Sequence, residues 1–182
     1  MLNIGVKKIF KRNTAPNVKL ILPGMQPDVI AHDAFISIGL GCQNPDNYID
    51  GVVAEQSLTI VQKENIAPFM TGLIWRLRWL GDGTWALLNQ GLENAALTNR
   101  APDVALGRIF SNWSTKDTSW FIYYDAESSG YLLRSKLGGW LTMDVSGAGL
   151  RLNKFNAENI ASQFITIQHT VDGVGSSLSP AH

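Results

Sequence analysis

Few residues of this chain are of types that carry proton, metal or covalent chemistry, and their spacing keeps them apart. His32, His169 and His182 are scattered, and none stands at metal-ligand spacing from another His, Cys or Asp. Cys42 lies in Gly39-Leu40-Gly41-Cys42-Gln43-Asn44-Pro45, which reads as a hairpin turn, where a lone cysteine packs rather than attacks. One cysteine also excludes an internal disulfide and a multi-cysteine metal site. Asp125 and Glu127 belong to one turn and do not form a spaced acid–base pair. Gly39-Leu40-Gly41 and Gly147-Ala148-Gly149 follow strand patterns but open no helix, so a phosphate cradle is unsupported. These residues predict a protein that is not an enzyme and needs no cofactor. Ser111-Asn112-Trp113-Ser114 matches the N-glycosylation acceptor pattern, which carries weight only in a secretory context, and places Trp113 as an exposed aromatic in a polar loop.

The elements around these residues read as strands. From Phe35 onward, short apolar runs alternate with turn chemistry every 8–12 residues, the pattern of a sandwich or barrel. Gln43–Asn47, Gly81-Asp82-Gly83, Ser128-Ser129-Gly130, Gly138-Gly139 and Ser146–Gly149 are such turns. No long window carries a helical period, and Glu93–Leu97 is helix-friendly but short. The reading divides the chain into a basic N-terminal arm over 1–30, a domain over 31–170 and a tail over 171–182. The arm holds a strand at Val18–Leu22 and room for a short helix over Ile4–Phe10.

Charged residues make up 16% of the 182 residues, and the net charge is zero. A neutral chain has no global attraction for nucleic acid or an anionic membrane. The balance is uneven: Lys7, Lys8, Lys11, Arg12 and Lys19 face no acid within residues 1–20, leaving ten bases against fifteen acids beyond. No apolar run of secretory or membrane-spanning length is present. The expectation is therefore a cytoplasmic protein or one exported by a non-classical route.

A weak repeat of roughly 45 residues organises the strands. Gly83-Thr84-Trp85-Ala86-Leu87-Leu88 answers to Ser129-Gly130-Tyr131-Leu132-Leu133-Arg134, and Val104-Ala105-Leu106 to Leu150-Arg151-Leu152. Each copy closes on an aromatic-led strand, at Trp75, Trp120 and Phe164, and the earliest opens at Phe35. An all-β fold with three such copies is expected.

Tyr131–Val145, Leu150-Arg151-Leu152 and Ser162-Gln163-Phe164-Ile165 resemble one subdomain of the ricin-B-type β-trefoil lectins, and the resemblance extends over about residues 35–168. It implies a six-stranded barrel capped by three hairpins, with Trp75, Trp120 and Phe164 packed inside. It also implies a non-catalytic module that binds glycans or glycoproteins. A pyranose offers hydroxyls on its edge and C–H groups on its face, so a site combines Asp or Asn with an aromatic plate. Met143-Asp144-Val145 alone keeps the family's hydroxyl-binding carboxylate; Asn99 and Val52 stand near that position in the other copies. Around Asp144 the expected ligands are Asn153, Asn156 and Asn159, with Trp140 as the plate; in the second copy they are Asn99, Asn112 and Trp113. Two departures accompany the match. The family's closing-strand Gln is replaced by Leu73, Thr118 and Ser162, with Gln163 one place off, and Leu150–Asn153 lacks the stacking aromatic. The alternative is a protein-binding trefoil, either a protease inhibitor or the receptor-binding subunit of a toxin assembly, with the basic arm contacting a protein partner and a homo-oligomer as a further option.

Overall fold

The computed structural model describes residues 18–22, 30–51, 56, 58–67, 70–92, 95–108, 115–144 and 149–170. Residues 1–17, the Asn112-Trp113 loop and the tail beyond 170 lie outside them. The described residues form β1 (Val18–Leu20), β2 (Phe35–Leu40), β3 (Asn47–Asp50), β4 (Thr59–Gln62), β5 (Trp75–Trp79), β6 (Trp85–Asn89) and β7 (Ala95–Arg100). They continue as β8 (Asp103–Arg108), β9 (Trp120–Asp125), β10 (Gly130–Ser135), β11 (Trp140–Met143), β12 (Leu150–Asn153) and β13 (Ile165–His169). Short 3-10 turns are the only helical pieces among them, and of the helix-friendly stretch Glu93–Leu97 the described residues Ala95, Ala96 and Leu97 lie in β7.

Six strands close a ring. β2 pairs with β5, β5 with β6, β6 with β9, β9 with β10, β10 with β13, and β13 returns to β2. The hairpins β3–β4, β7–β8 and β11–β12 attach to this barrel through β2, β6 and β10. Strand alternation sends every second side chain inward. The interior collects Ile36 and Ile38, Trp75 and Leu77, Trp85 and Leu87, Trp120 and Ile122, Tyr131 and Leu133, and Ile165 and Ile167. Trp75, Trp85 and Trp120 are fully buried. Truncating an aromatic so placed typically costs about 3–5 kcal/mol. Each indole N–H meets a backbone carbonyl: Trp75 donates to Ile49 at 3.2 Å, Trp85 to Ile21 at 3.1 Å and Trp120 to Leu97 at 2.9 Å. A buried donor left unpaired would undo much of that gain.

The third closing strand differs from the expectation by one residue. Trp75 opens β5 and Trp120 opens β9; Ile165, not Phe164, opens β13, pairing with Tyr131 and Leu40 and facing the barrel core. Phe164 is buried on the other side, with Leu132 and Ile160, in a second cluster that also touches Val18, Cys42, Tyr123, Trp140 and Phe155. Gln163 therefore stands where Leu73 and Thr118 stand ahead of Trp75 and Trp120. It is buried and donates to Thr142 Oγ1 at 3.1 Å and the Lys154 carbonyl at 2.9 Å, and accepts from the Asn156 N–H at 3.1 Å. The shift follows from period two: a one-residue slip sends an aromatic to the opposite face.

The N-terminal strand attaches to this barrel. β1 pairs with β9 over Val18↔Asp125 to Leu20↔Tyr123, and Ile21 N–H continues to the Ile122 carbonyl at 2.8 Å. Ile21 and Ile30 are buried in the main core, so that core draws on residues ahead of 31.

Candidate functional site

β10 and β11 are joined by a tight turn in which Gly138 and Gly139 hold φ of 105° and 86°, a region that residues with a Cβ enter at a cost. The turn returns the chain so that Trp140 faces Arg134 across β10 and β11, and Asn153 across β11 and β12. Trp140 is half-buried. Its ring contacts Tyr123 at 5.2 Å and Phe155 at 5.3 Å between centroids, and the Arg134 guanidinium lies 5.9 Å from its centre. The aromatic contacts tilt the indole into the second cluster; the guanidinium covers part of it by cation–π attraction.

Asp144 follows Trp140 by four residues, just past the end of β11, and is half-buried. Its N–H donates to the Gly149 carbonyl at 3.0 Å, closing the hairpin, and a Cβ on Gly149 would come within 2.8 Å of the Asp144 carboxylate. Asn153 is exposed at the end of β12. Asn156 is exposed but engaged locally: its Oδ1 accepts from the N–H groups of Glu158 at 3.0 Å and Asn159 at 3.2 Å. Asn159 is exposed and precedes the turn Ile160–Gln163, its carbonyl accepting from Ser162 Oγ at 2.8 Å. The fold thus places Trp140 beside Asn153, with Asp144 continuing the Trp140 strand.

Asn99 has a different setting. It is buried on β7, donates to Ser135 Oγ at 2.7 Å and accepts from the Ala101 N–H at 2.9 Å, which ties β7 to the end of β10. Asn112 and Trp113 lie outside the described residues.

Among the described residues, the groups of types suited to catalysis fall into small separate sets. No set of three His, Cys, Asp or Glu residues that could hold a metal occurs among the described residues. Burial pushes the Cys42 thiol up, a hydrogen bond with Ser128 opposes this and the nearby Asp125 carboxylate adds to it, so the thiolate is disfavoured. Asp125 accepts from the Ser128 N–H at 3.0 Å and hydroxyl at 2.7 Å, which fixes a turn. Asp33 gathers Arg76 at 3.1 Å, His32 at 3.4 Å and Arg78 at 3.5 Å; partial burial raises its carboxyl, but Arg76 and its neighbours hold it below the usual range. Asp82 pairs with Lys136 and Thr84 between two turns, which likewise lowers it.

Sequence reasoning set Gln163 one place off the family's position and passed over Arg134, Tyr123 and Phe155. Alternation carried a signal for two of them: Trp120 and Ile122 point inward, which turns Phe121 and Tyr123 outward, and inward Leu133 turns Arg134 outward.

No protein-family profile and no curated protein sequence matches this chain. Solved structures do. A mosquitocidal holotoxin aligns with a TM-score of 0.64 at 10% identity, over 78% of this chain and 18% of that one. The Polyporus squamosus lectin aligns at 0.60 and 15%, over 77% and 50%. The β-trefoil of BEL aligns at 0.56 and 13%, over 79% and 98%. Two glycosidases also match, over about a third of their chains, at 33% and 32%. This chain spans half or less of the first structures it matches: 18%, 50% and 39% of their lengths. At these identities the likeness shows the fold, a β-trefoil.

Proposed function

We propose that this chain is a non-catalytic carbohydrate-binding module of the ricin-B-type β-trefoil kind, built of three units of roughly 45 residues. Its site lies in the third unit, on Asp144, Trp140, Asn153 and Asn159. The observation that carries the reading is the placement of an exposed amide, Asn153, directly across from the half-exposed Trp140, with the Asp144 carboxylate at the end of the same strand. A carboxylate accepts from adjacent sugar hydroxyls, an amide donates and accepts, and an indole covers the C–H face. The presence of a lectin and a named β-trefoil among the matched structures supports the same reading.

A glycan array identifies the ligand, and titration of variants tests the site. A hydrogen bond to a charged group contributes about 1.5–3 kcal/mol, so Asp144→Ala weakens binding about ten- to a hundredfold with the fold intact. If Trp113→Ala abolishes binding while Asp144→Ala leaves it unchanged, the second unit holds the site. If a glycan binds and neither change matters, the site lies off these positions altogether.

The likeness to a mosquitocidal holotoxin, in which the aligned part is 18% of the chain, favours one setting for such a module. There the trefoil targets a host glycan and a partner protein, docked on the basic residues 1–20, carries the toxic activity. Host-lysate pull-down with and without competing free sugar checks this: retention that sugar does not compete would replace the lectin by a protein-binding trefoil.

A further inference from the structure

A row of side chains crosses four strands on the outer face of the third hairpin and the adjoining barrel wall. Phe121 of β9 pairs with Arg134 of β10, Arg134 with Trp140 of β11, and Trp140 with Asn153 of β12. The inward neighbours of all four, Trp120, Leu133, Leu141 and Leu152, lie in the core, so the row itself points outward. At the usual strand spacing it is about 14 Å wide, more than one sugar ring. Arg134 and Asn153 are exposed; Phe121 and Trp140 are half-buried.

Arg134 stands between the two aromatics. It forms no ion pair with a carboxylate among the described residues, whereas Arg76 and Arg100 do, with Asp33 and Asp117 at 3.1 Å each. Cation–π contact with Trp140 holds its guanidinium without neutralising it. The same pairings elsewhere give rows of other chemistry. Arg76, Leu88, Ala96 and Gly107 form one, with no aromatic and with its arginine already paired. Thr166, Gly39, Tyr48 and Val61 form the other, with Tyr48 buried and its hydroxyl bonded to Gln168.

From this row we infer that the third unit binds an acidic saccharide, with Arg134 receiving the sugar's carboxylate, Trp140 or Phe121 meeting a C–H face, and Asn153 bonding a hydroxyl. The inference rests on the carbohydrate reading above and names its substrate class. A planar guanidinium pairs with a planar carboxylate through two parallel hydrogen bonds. A sulfate ester supplies the same charge in a different shape, so the experiment separates the two.

The test titrates the full chain with matched oligosaccharides that are neutral, carboxylated or sulfated. The carboxylated one binds most tightly. Arg134→Gln lowers its affinity about ten- to a hundredfold, the worth of one charge-assisted contact, and brings it down to that of the neutral sugar. Arg134→Lys keeps the charge but loses the fork, and recovers only part. Arg151→Gln, exposed on β12 outside the row, changes nothing. Four results overturn the assignment: a neutral sugar that binds as well as the acidic one, tighter binding of the sulfated sugar, an equal loss in Arg151→Gln, or an Arg134-dependent grip on an acidic peptide instead. Glycan binding without any preference for charge sinks this inference alone, whereas no binding to any saccharide sinks the carbohydrate reading with it.

Discussion

Gln163 serves three partners with one side chain: Thr142 on β11, the carbonyl of Lys154 and the N–H of Asn156. Those groups lie in the stretch that leads from the third hairpin back to the barrel. Leu73 occupies the corresponding place before Trp75, so leucine fits there by shape but offers no hydrogen bonds. Gln163→Leu leaves the Lys154 carbonyl and Asn156 N–H without their partner; both hydrogen bonds are only part-buried, so the loss should be about 1–3 kcal/mol. The urea midpoint measures it, and a change below about 0.5 kcal/mol would show that water replaces the side chain. Asp50 is the opposite case. It is 3% exposed, burial raises its carboxyl, and no described residue bonds or pairs with it. A folded-state pKa above the unfolded one means that the native protein holds the proton more tightly. Stability from this group is therefore fully present below the unfolded pKa and falls as pH rises through the folded one. Asp50→Asn keeps the shape without the charge: its melting temperature should exceed the wild type's at pH 7, and the difference should shrink as pH falls toward 4. Equal melting temperatures at pH 7 would mean that the carboxylate is solvated after all.

Among the elements, β1 has an importance its three residues conceal. It fills the edge of β9 beside the point where β6 and β9 meet, and the next residue, Ile21, buries its side chain while its carbonyl receives the Trp85 indole. The basic charge of the N-terminus lies mostly in residues 1–17, where four of the five bases precede β1. Two truncations separate the parts. Starting the chain at residue 18 should leave the melting temperature nearly unchanged. Starting it at residue 23 removes a buried isoleucine and orphans a buried indole donor, and should cost about 3–5 kcal/mol or prevent folding. Equal losses from both would make residues 1–17 a structural element or an oligomer contact.

For the molecule as a whole, local pattern and long-range closure contributed different things. Alternation of apolar residues and the turn chemistry at Gly81–Gly83, Ser128–Gly130 and Gly138-Gly139 are local, since each depends on a few neighbouring residues, and they were legible as an all-β chain. The likeness read between Leu88 and Arg134 is equally local; in the structure each pairs with the hairpin strand that follows it, Leu88 with Ala96 and Arg134 with Trp140. The closing segment Ser162-Gln163-Phe164-Ile165 was not legible in this way. A pattern of period two reads equally well when shifted by one residue, and only the pairing of Ile165 with Tyr131 and Leu40, more than thirty and a hundred residues away, selects which side chain enters the barrel. Asn99 looked available as a ligand because the sequence hides Ser135, which consumes its amide. Arg134 meets Trp140 only because β10 and β11 pair at that register. The sequence by itself determined which stretches are strands and where they turn, because sterics and alternation act over a few residues. Only the tertiary structure decided which faces they present to one another, because register is set by contacts between residues far apart along the chain.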